Sequence, residues 1–257
     1  MKKFFLINLL CLLAGFITYG QDKGKPEDTE VWTPVPKVVT PGKYVSTEPP
    51  SDAIILFDGK NLNQWVLTDD TTKAADWKVA KGIMTVNKKS GNIQTRLSFM
   101  DYQLHIEWRI PTNISGSGQA RGNSGIFLAS IGKGDAGYEM QILDSYNNLT
   151  YVNGQAGSIY KQSSPLVNPN LPPGSWQRYD IIWTAPRFAE DGSLKSKAKV
   201  TAFFNGILIQ NNYELQGSTL YIGKPSYQKH GASPIKLQAH GDKSEPLSFR
   251  NIWVRPL

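Results

Sequence analysis

The chain holds 257 residues, with 28 Lys+Arg against 21 Asp+Glu for a formal net charge of +7, and it carries one cysteine and three histidines. One cysteine excludes a disulfide framework and a cysteine-built metal site, and histidines at 105, 230 and 240 leave no H-E-x-x-H zinc motif. The basic residues are scattered without interleaved aromatics, which argues against nucleic acid as a partner.

In chain order, Lys2 and Lys3 precede the apolar run "FFLINLLCLLAGFI", and small residues with a polar break follow at "TYGQDK". This is the layout of a secretory signal peptide over residues 1–20, with cleavage after Gly20. Leu10 ahead of Cys11 speaks against lipidation. The run is short for a membrane span, and no later stretch approaches about 20 apolar residues. The sequence therefore predicts export to the periplasm or beyond, no stable membrane span, and a mature chain without a thiol.

Residues 21–50 are rich in Pro, Lys, Glu and Thr and read as an extended arm, packed on the rest through Trp32 and the valines. From residue 51 to 257 the chain is strand-like. "IILF", "WKVA", "IMTV", "YQLHIEWRI", "SGIFLAS", "YEMQIL", "YDIIWTA", "VTAFF", "ILIQ", "IKLQA" and "LSFRNIWV" are short, β-branched and aromatic, and are punctuated by turn residues. Asn205-Gly206 in "FFNGILI" asks for a tight hairpin. No segment holds a sustained 3.6-residue period. The expected fold is all-β: a two-sheet antiparallel jelly-roll sandwich. Trp108, Phe127, Ile142, Ile182, Phe249 and Trp253 are its predicted core markers.

The polar faces of these strands hold the candidate chemistry. In "LHIEWRI", His105, Glu107 and Arg109 share one face; Glu107 and Arg109 read either as a surface ion pair or as a carboxylate held charged in a groove. "RGNSGIFL" brings Asn123 between glycines that permit close approach of a ligand. In "GYEMQILDSYNN", Glu139, Gln141 and Leu143 point one way while Tyr138, Met140 and Ile142 point the other, and Asp144 ends the run. "LQAHG" sets Gln238 and His240 on one face, and "FRNIWV" puts Phe249 and Trp253 in one phase with Arg250 in the other. "GKGDAG" is not a P-loop and "GNSGIF" is not a nucleophile elbow. The sequence requires no cofactor; a calcium ion held by loop carboxylates and carbonyls leaves weak traces and stays open.

These segments, in this order, resemble the secreted 3-keto-disaccharide hydrolase family. The resemblance is carried by "PPSDAIILFDGKNLNQW", "LHIEWRIP", "GQARGNSGIFL", "GYEMQILDSYNNLTYVNGQAGSIY", "PLVNPNLPPGSWQRYDIIWTAPRF" and "LQAHGDKSEPLSFRNIWVRPL". Ala239 departs from the acidic or amide residue often found there in the family, but it alternates away from the His240 face. The resemblance implies a concanavalin A-like jelly roll and a carbohydrate substrate. It also implies a concave sheet on which Glu107, Arg109, Asn123, Glu139, Gln141, Gln238, His240 and Arg250 converge, with Asp144 acting from the strand end or bracing a loop. Glu139, His240 and Glu107 are then the catalytic candidates, and Arg109, Asn123, Gln141, Asp144, Gln238 and Arg250 the binding ones. The implied reaction is cleavage of a 3-keto glycoside by elimination and hydration, with His240 or Glu139 as base and Arg109, Asn123 or Arg250 near the oxyanion. Two rivals share the fold: a two-carboxylate glycoside hydrolase using Glu107 and Glu139, and a non-catalytic carbohydrate-binding module.

Overall fold

The computed structural model describes residues 24–43 and 48–257. The segment read as a signal peptide therefore lies outside the described residues. Two antiparallel sheets face each other. The larger has eight strands, in the order Ile207–Glu214, Lys199–Phe204, Trp176–Thr184, Tyr102–Arg109, Ser248–Pro256, Ile83–Thr85 and Lys78–Ala80, with Ile54–Phe57 also paired to Ser248–Pro256. The smaller has five: Trp65–Leu67, Ile93–Thr95, Lys236–Leu237, Ser124–Ser130 and Gly137–Ile142. This is the expected all-β sandwich, and no α-helix occurs among the described residues. Among these residues no helix is long and apolar enough to cross a membrane.

Alternation builds the core. Leu104, Ile106 and Trp108 project inward from the central strand of the large sheet, beside Tyr179, Ile181 and Trp183 on one neighbour and Phe249, Ile252 and Val254 on the other. Ile126, Leu128, Tyr138, Met140 and Ile142 meet them from the small sheet. Trp108 stacks on Phe204, and Tyr138 packs against Trp183. The Asn205-Gly206 turn forms as its sequence asks, with φ of 52° and 81°.

Of the six core markers only Ile182 is not buried, while Trp253 and Phe127 are buried outside the inter-sheet core. Ile182 is 45% exposed, because Ile181 and Ile182 are adjacent in a strand and only one of them can face inward. Trp253 is buried, yet it is not on the face of Phe249. Asn251 adopts φ 44°, and the pairing slips between Arg250 and Trp253. The extra residue of this bulge turns Ile252 into the core and stacks Trp253 on His105 at 5.2 Å, on the outer face. Phe127 is buried too, but it lies opposite Glu139 on the outer face of the small sheet, beneath the Lys236 ammonium. Leu143 follows the end of its strand and joins the core rather than the Glu139 face.

The arm is held by its backbone more than by its side chains. Trp32 and Val31, Val35 and Val38 are exposed. Lys37–Val38 pairs in parallel with Val167–Asn168, and Val152 N donates to Val31 O at 2.6 Å. Asn153 bridges the arm through Val31 N to its Oδ1 at 3.0 Å and its Nδ2 to Thr29 O at 2.9 Å.

Candidate functional site

The outer face of the small sheet carries a cleft of about 320 Å³. Strand phase supplies its floor: Glu139 and Gln141 from one strand, and Gln238 and His240 from the segment that continues Lys236–Leu237. Asn123 borders it, and loops raise the walls through Asp135, Tyr160, Thr219 and Tyr221. Glu139 and His240 therefore share one cleft.

Glu139 is 5% exposed. Its backbone N–H donates to Thr219 Oγ1 at 2.9 Å, which ties the wall to the floor. Among the described residues nothing hydrogen-bonds its carboxyl group. Burial pushes that group up to about 8, the charge of Asp135 adds to the effect, and Lys236 opposes it. The Lys236 ammonium is itself buried. It donates to the carbonyls of Gly132, Gly134 and Ala136 at 3.1, 2.8 and 2.8 Å, so it pins the loop that carries Asp135 rather than pairing with Glu139. Gly125 lies opposite Gln141 on the neighbouring strand, and a Cβ there would fall onto Glu139 Oε1 and reach its Cγ and Cδ at 3.0 Å. The carboxyl occupies the space that a glycine leaves. Gly125→Ala is accordingly expected to keep the fold and displace that carboxyl; a melting temperature and a crystal structure of the variant check this.

An amide network fixes Gln141. Gln119 Nε2 donates to Thr150 Oγ1 and Gly154 O, both at 2.9 Å. Its Oε1 accepts from Gln141 Nε2 at 3.2 Å, and Asn123 Oδ1 accepts from the same nitrogen at 3.2 Å. Asn123 Nδ2 is spent on Gln119 O at 2.9 Å. Both donors of Gln141 are thereby directed into protein, and its buried Oε1 is left without a partner, as is Gln238 Oε1. Two orphan carbonyl oxygens on one cleft floor suit hydroxyl donors, because leaving a buried acceptor unmet costs about 1–3 kcal/mol. Asn123 thus orients Gln141 while it borders the cleft.

His240 leads into a loop that orients it. Its Nδ1 lies 2.8 Å from Asp242 Oδ2. Asp242 N also lies 3.2 Å from Nδ1; with Nδ1–H donating instead to the nearer, ionised carboxylate, Nε2 keeps the lone pair. Asp242 also accepts from Ser244 N at 2.7 Å and from the Ser244 hydroxyl. Lys88 Nζ lies 3.2 Å from its Oδ1 and bonds its backbone oxygen at 2.9 Å. Burial works against its charge, but the bonds from His240 and Ser244 and the Lys88 ammonium hold Asp242 well below the usual carboxylate range. Across the cleft, the Tyr160 hydroxyl meets that of Tyr151 at 2.6 Å. Burial pushes both phenols up, so they stay protonated donors.

Four expected site residues are not in this cleft. Asp144 is fully buried and pairs with Arg121 at 2.8 Å while accepting from Tyr146 N at 3.1 Å; it braces the loop entering the sheet. Glu107, Arg109 and Arg250 lie on the outer face of the large sheet, with the core between them and Glu139. There Glu107 accepts from Arg250 Nε at 2.6 Å and Asn251 Nδ2 at 2.9 Å, and the guanidinium groups of Arg109 and Arg250 lie 4.6 and 4.1 Å from the Trp176 ring centroid. His105 completes this cluster with Nδ1 2.6 Å from Asp180 Oδ1. A two-carboxylate site of Glu107 and Glu139 is therefore ruled out: facing sheets alone stand about 10 Å apart, beyond the ~9.5 Å limit of an inverting pair. Among the described residues no group of three or more His, Cys, Asp or Glu side chains is placed to hold a metal ion.

Asp135, Tyr160, Thr219, Tyr221 and Asp242 were missed from the sequence. Only Asp242 left a signal, in the H-x-D spacing after Gln238; the others sit in loops without periodicity.

The chain matches the model of the 3-keto-alpha-glucoside-1,2-lyase-like domain over residues 52–255. A candidate glycosyl hydrolase of known structure from Parabacteroides distasonis ATCC 8503 is 55% identical, with 90% of this chain and 96% of that chain covered and a TM-score of 0.78. A second one from the same organism is 19% identical, with 80% and 94% covered and a TM-score of 0.58, a likeness of fold alone. No curated protein matches the chain. The family model and the 55% identical structure both span the sandwich and the cleft on its small sheet, and the chain belongs to the family of 3-keto-alpha-glucoside-1,2-lyase-like domains.

Proposed function

We propose that the protein is an exported carbohydrate-active enzyme that cleaves 3-keto glycosides by elimination and hydration. The observation that carries this reading is the opposition of two groups across one cleft. Glu139 is kept protonated at neutral pH by burial. His240 is backed by a carboxylate that stays ionised. A carboxyl held protonated serves as the acid, and an imidazole oriented by a carboxylate serves as the base.

A ketone at C3 acidifies the hydrogen on C2. His240 Nε2 removes that proton, and the C2–H electrons form the C2–C3 double bond of an enolate. The enolate collapses, C1–C2 becomes the double bond, the ketone re-forms, and the C1–O bond breaks. Glu139 gives its proton to the departing oxygen. Water then adds across C1–C2. Tyr160 supplies a protonated phenol for the developing oxyanion, while Gln141 and Gln238 accept from the sugar's hydroxyls. Arg109 and Arg250 take no part, since they lie on the other sheet.

The second carboxylate of the cleft, Asp135, favours one alternative, a two-carboxylate hydrolysis with Glu139 as acid. One comparison separates the two. The elimination reading expects the 3-keto glucoside to be cleaved far faster than the plain glucoside, with deuterium from heavy water entering C2. Rapid hydrolysis of the plain glucoside with C2 untouched would sink it.

A further inference from the structure

We propose that the N-terminal arm, which precedes the family domain, completes the site: Glu30 walls a second chamber and accepts hydrogen bonds from the hydroxyls of a leaving pyranose. This rests on the reading of the cleft given above. A chamber of about 380 Å³ adjoins the cleft; Glu30, Gln119 and Tyr151 line it, and Tyr221 and His240 belong to both spaces. The family domain begins at residue 52, so Glu30 is supplied from outside it.

The arm is fixed on both sides of Glu30. Thr29 O and Val31 N are both bonded to the Asn153 side chain, and Val31 O accepts from Val152 N. Further back, the Lys161 ammonium donates to Pro26 O at 2.6 Å and to Tyr221 O at 3.0 Å, so one buried cation clamps the arm to the opposite wall. Glu30 is half-buried, and among the described residues its carboxylate makes no hydrogen bond or ion pair. A held carboxylate that makes no hydrogen bond, with only the through-space attraction of the Lys161 ammonium acting on it, is an acceptor in place for a ligand beside a chamber.

The chamber suits a neutral, hydroxyl-bearing occupant. The rings of Tyr151, Tyr160 and Tyr221 already surround Lys161 at 5.5, 5.9 and 4.9 Å, so their attraction for a cation is taken up by the protein. What remains open is the carboxylate of Glu30, an acceptor matched to the hydroxyls of a sugar.

The test uses the full chain and Glu30→Gln, with 3-keto trehalose and the 3-keto form of methyl α-glucoside as substrates. The ratio of kcat/KM for the first over the second is expected to fall about tenfold in the variant, the scale of one lost charge-assisted hydrogen bond. An unchanged ratio overturns the proposal. If the native protein turns over neither keto sugar, the reading of the cleft has failed, and the arm is judged by binding of unoxidised trehalose in calorimetry. Weaker binding to Glu30→Gln supports the subsite; equal binding, or none to either protein, overturns it.

Discussion

Glu139→Gln should lower kcat/KM on a 3-keto disaccharide by about 10²–10⁴, the usual worth of a positioned acid. The loss should depend on the leaving group. A sugar alkoxide cannot depart without a proton, whereas p-nitrophenolate can, so the 3-keto p-nitrophenyl glucoside should be largely spared. The pH profile gives the second signature. Glu139 titrates at about 8, so the acid form is present below that pH and is lost above it. Native kcat/KM should fall on the basic side near pH 8, and this limb should vanish in the glutamine variant. Stability should change in the same sense with pH. A carboxyl whose folded pKa is raised binds its proton more tightly in the native state, so its contribution is full below the unfolded value and is lost as pH rises towards 8. Glutamine removes that penalty, and the variant should melt no lower than the native protein at pH 8. A variant that loses activity equally on both leaving groups, with its basic limb intact, would contradict the acid role.

Much of this site was legible as phase. The alternation in "GYEMQIL" separated Glu139 and Gln141 from Tyr138, Met140 and Ile142, and "LQAHG" put Gln238 with His240; the structure keeps both pairs on the cleft floor. Phase cannot say which sheet a strand joins. His105, Glu107 and Arg109 alternate just as cleanly, but their strand lies at the centre of the large sheet, whose polar face looks away from the cleft. The expectation that Glu107, Arg109 and Arg250 would converge with Glu139 failed for that reason alone. Phase also assumes an unbroken ladder. One residue at positive φ, Asn251, reversed the side of Trp253. Burial of a charged face added a second confusion. Glu107 is 1% exposed without being in a pocket, because Arg250 and Asn251 cover it. A buried carboxylate in an ion-pair cluster and a buried carboxylate facing a substrate read alike from composition, and only the absence of a partner for Glu139 separates them.

The walls were not legible, since loops follow turn chemistry rather than a period. Tyr160 enters the site after Tyr160 N bonds Glu139 O at 3.2 Å, and Tyr221 because Thr219 N bonds Gly137 O at 2.7 Å. These contacts cross 21 and 82 positions of chain, and nothing local announces them. Asp242 differs. A carboxylate two residues beyond a histidine, with a serine two further on, can close an Asx-type turn and return to the ring.

That pair sets the last expectation. His240→Gln should lower the rate by about 10²–10⁴ for every leaving group, because proton removal precedes departure. Asp242 touches no substrate in this scheme. It positions the ring, with Nδ1 at 2.8 Å, and selects the tautomer that leaves Nε2 free. Asp242→Asn should therefore cost about 10²-fold or more in kcat, with little change in KM. Because Asp242 also organises the Ser244 turn and meets Lys88, a lower rate by itself would not separate loss of positioning from loss of folded protein. The isotope effect does. Deuterium at C2 should slow both base-side variants by a larger factor than it slows the native enzyme, since the proton step has become the bottleneck. A smaller folded fraction scales both isotopic rates alike and leaves their ratio unchanged. Glu139→Gln should move in the opposite sense: with departure now slow, the isotope effect should shrink and recovered substrate should carry solvent deuterium at C2. Isotope effects that shift the same way in His240→Gln and Glu139→Gln would overturn the division of labour between base and acid.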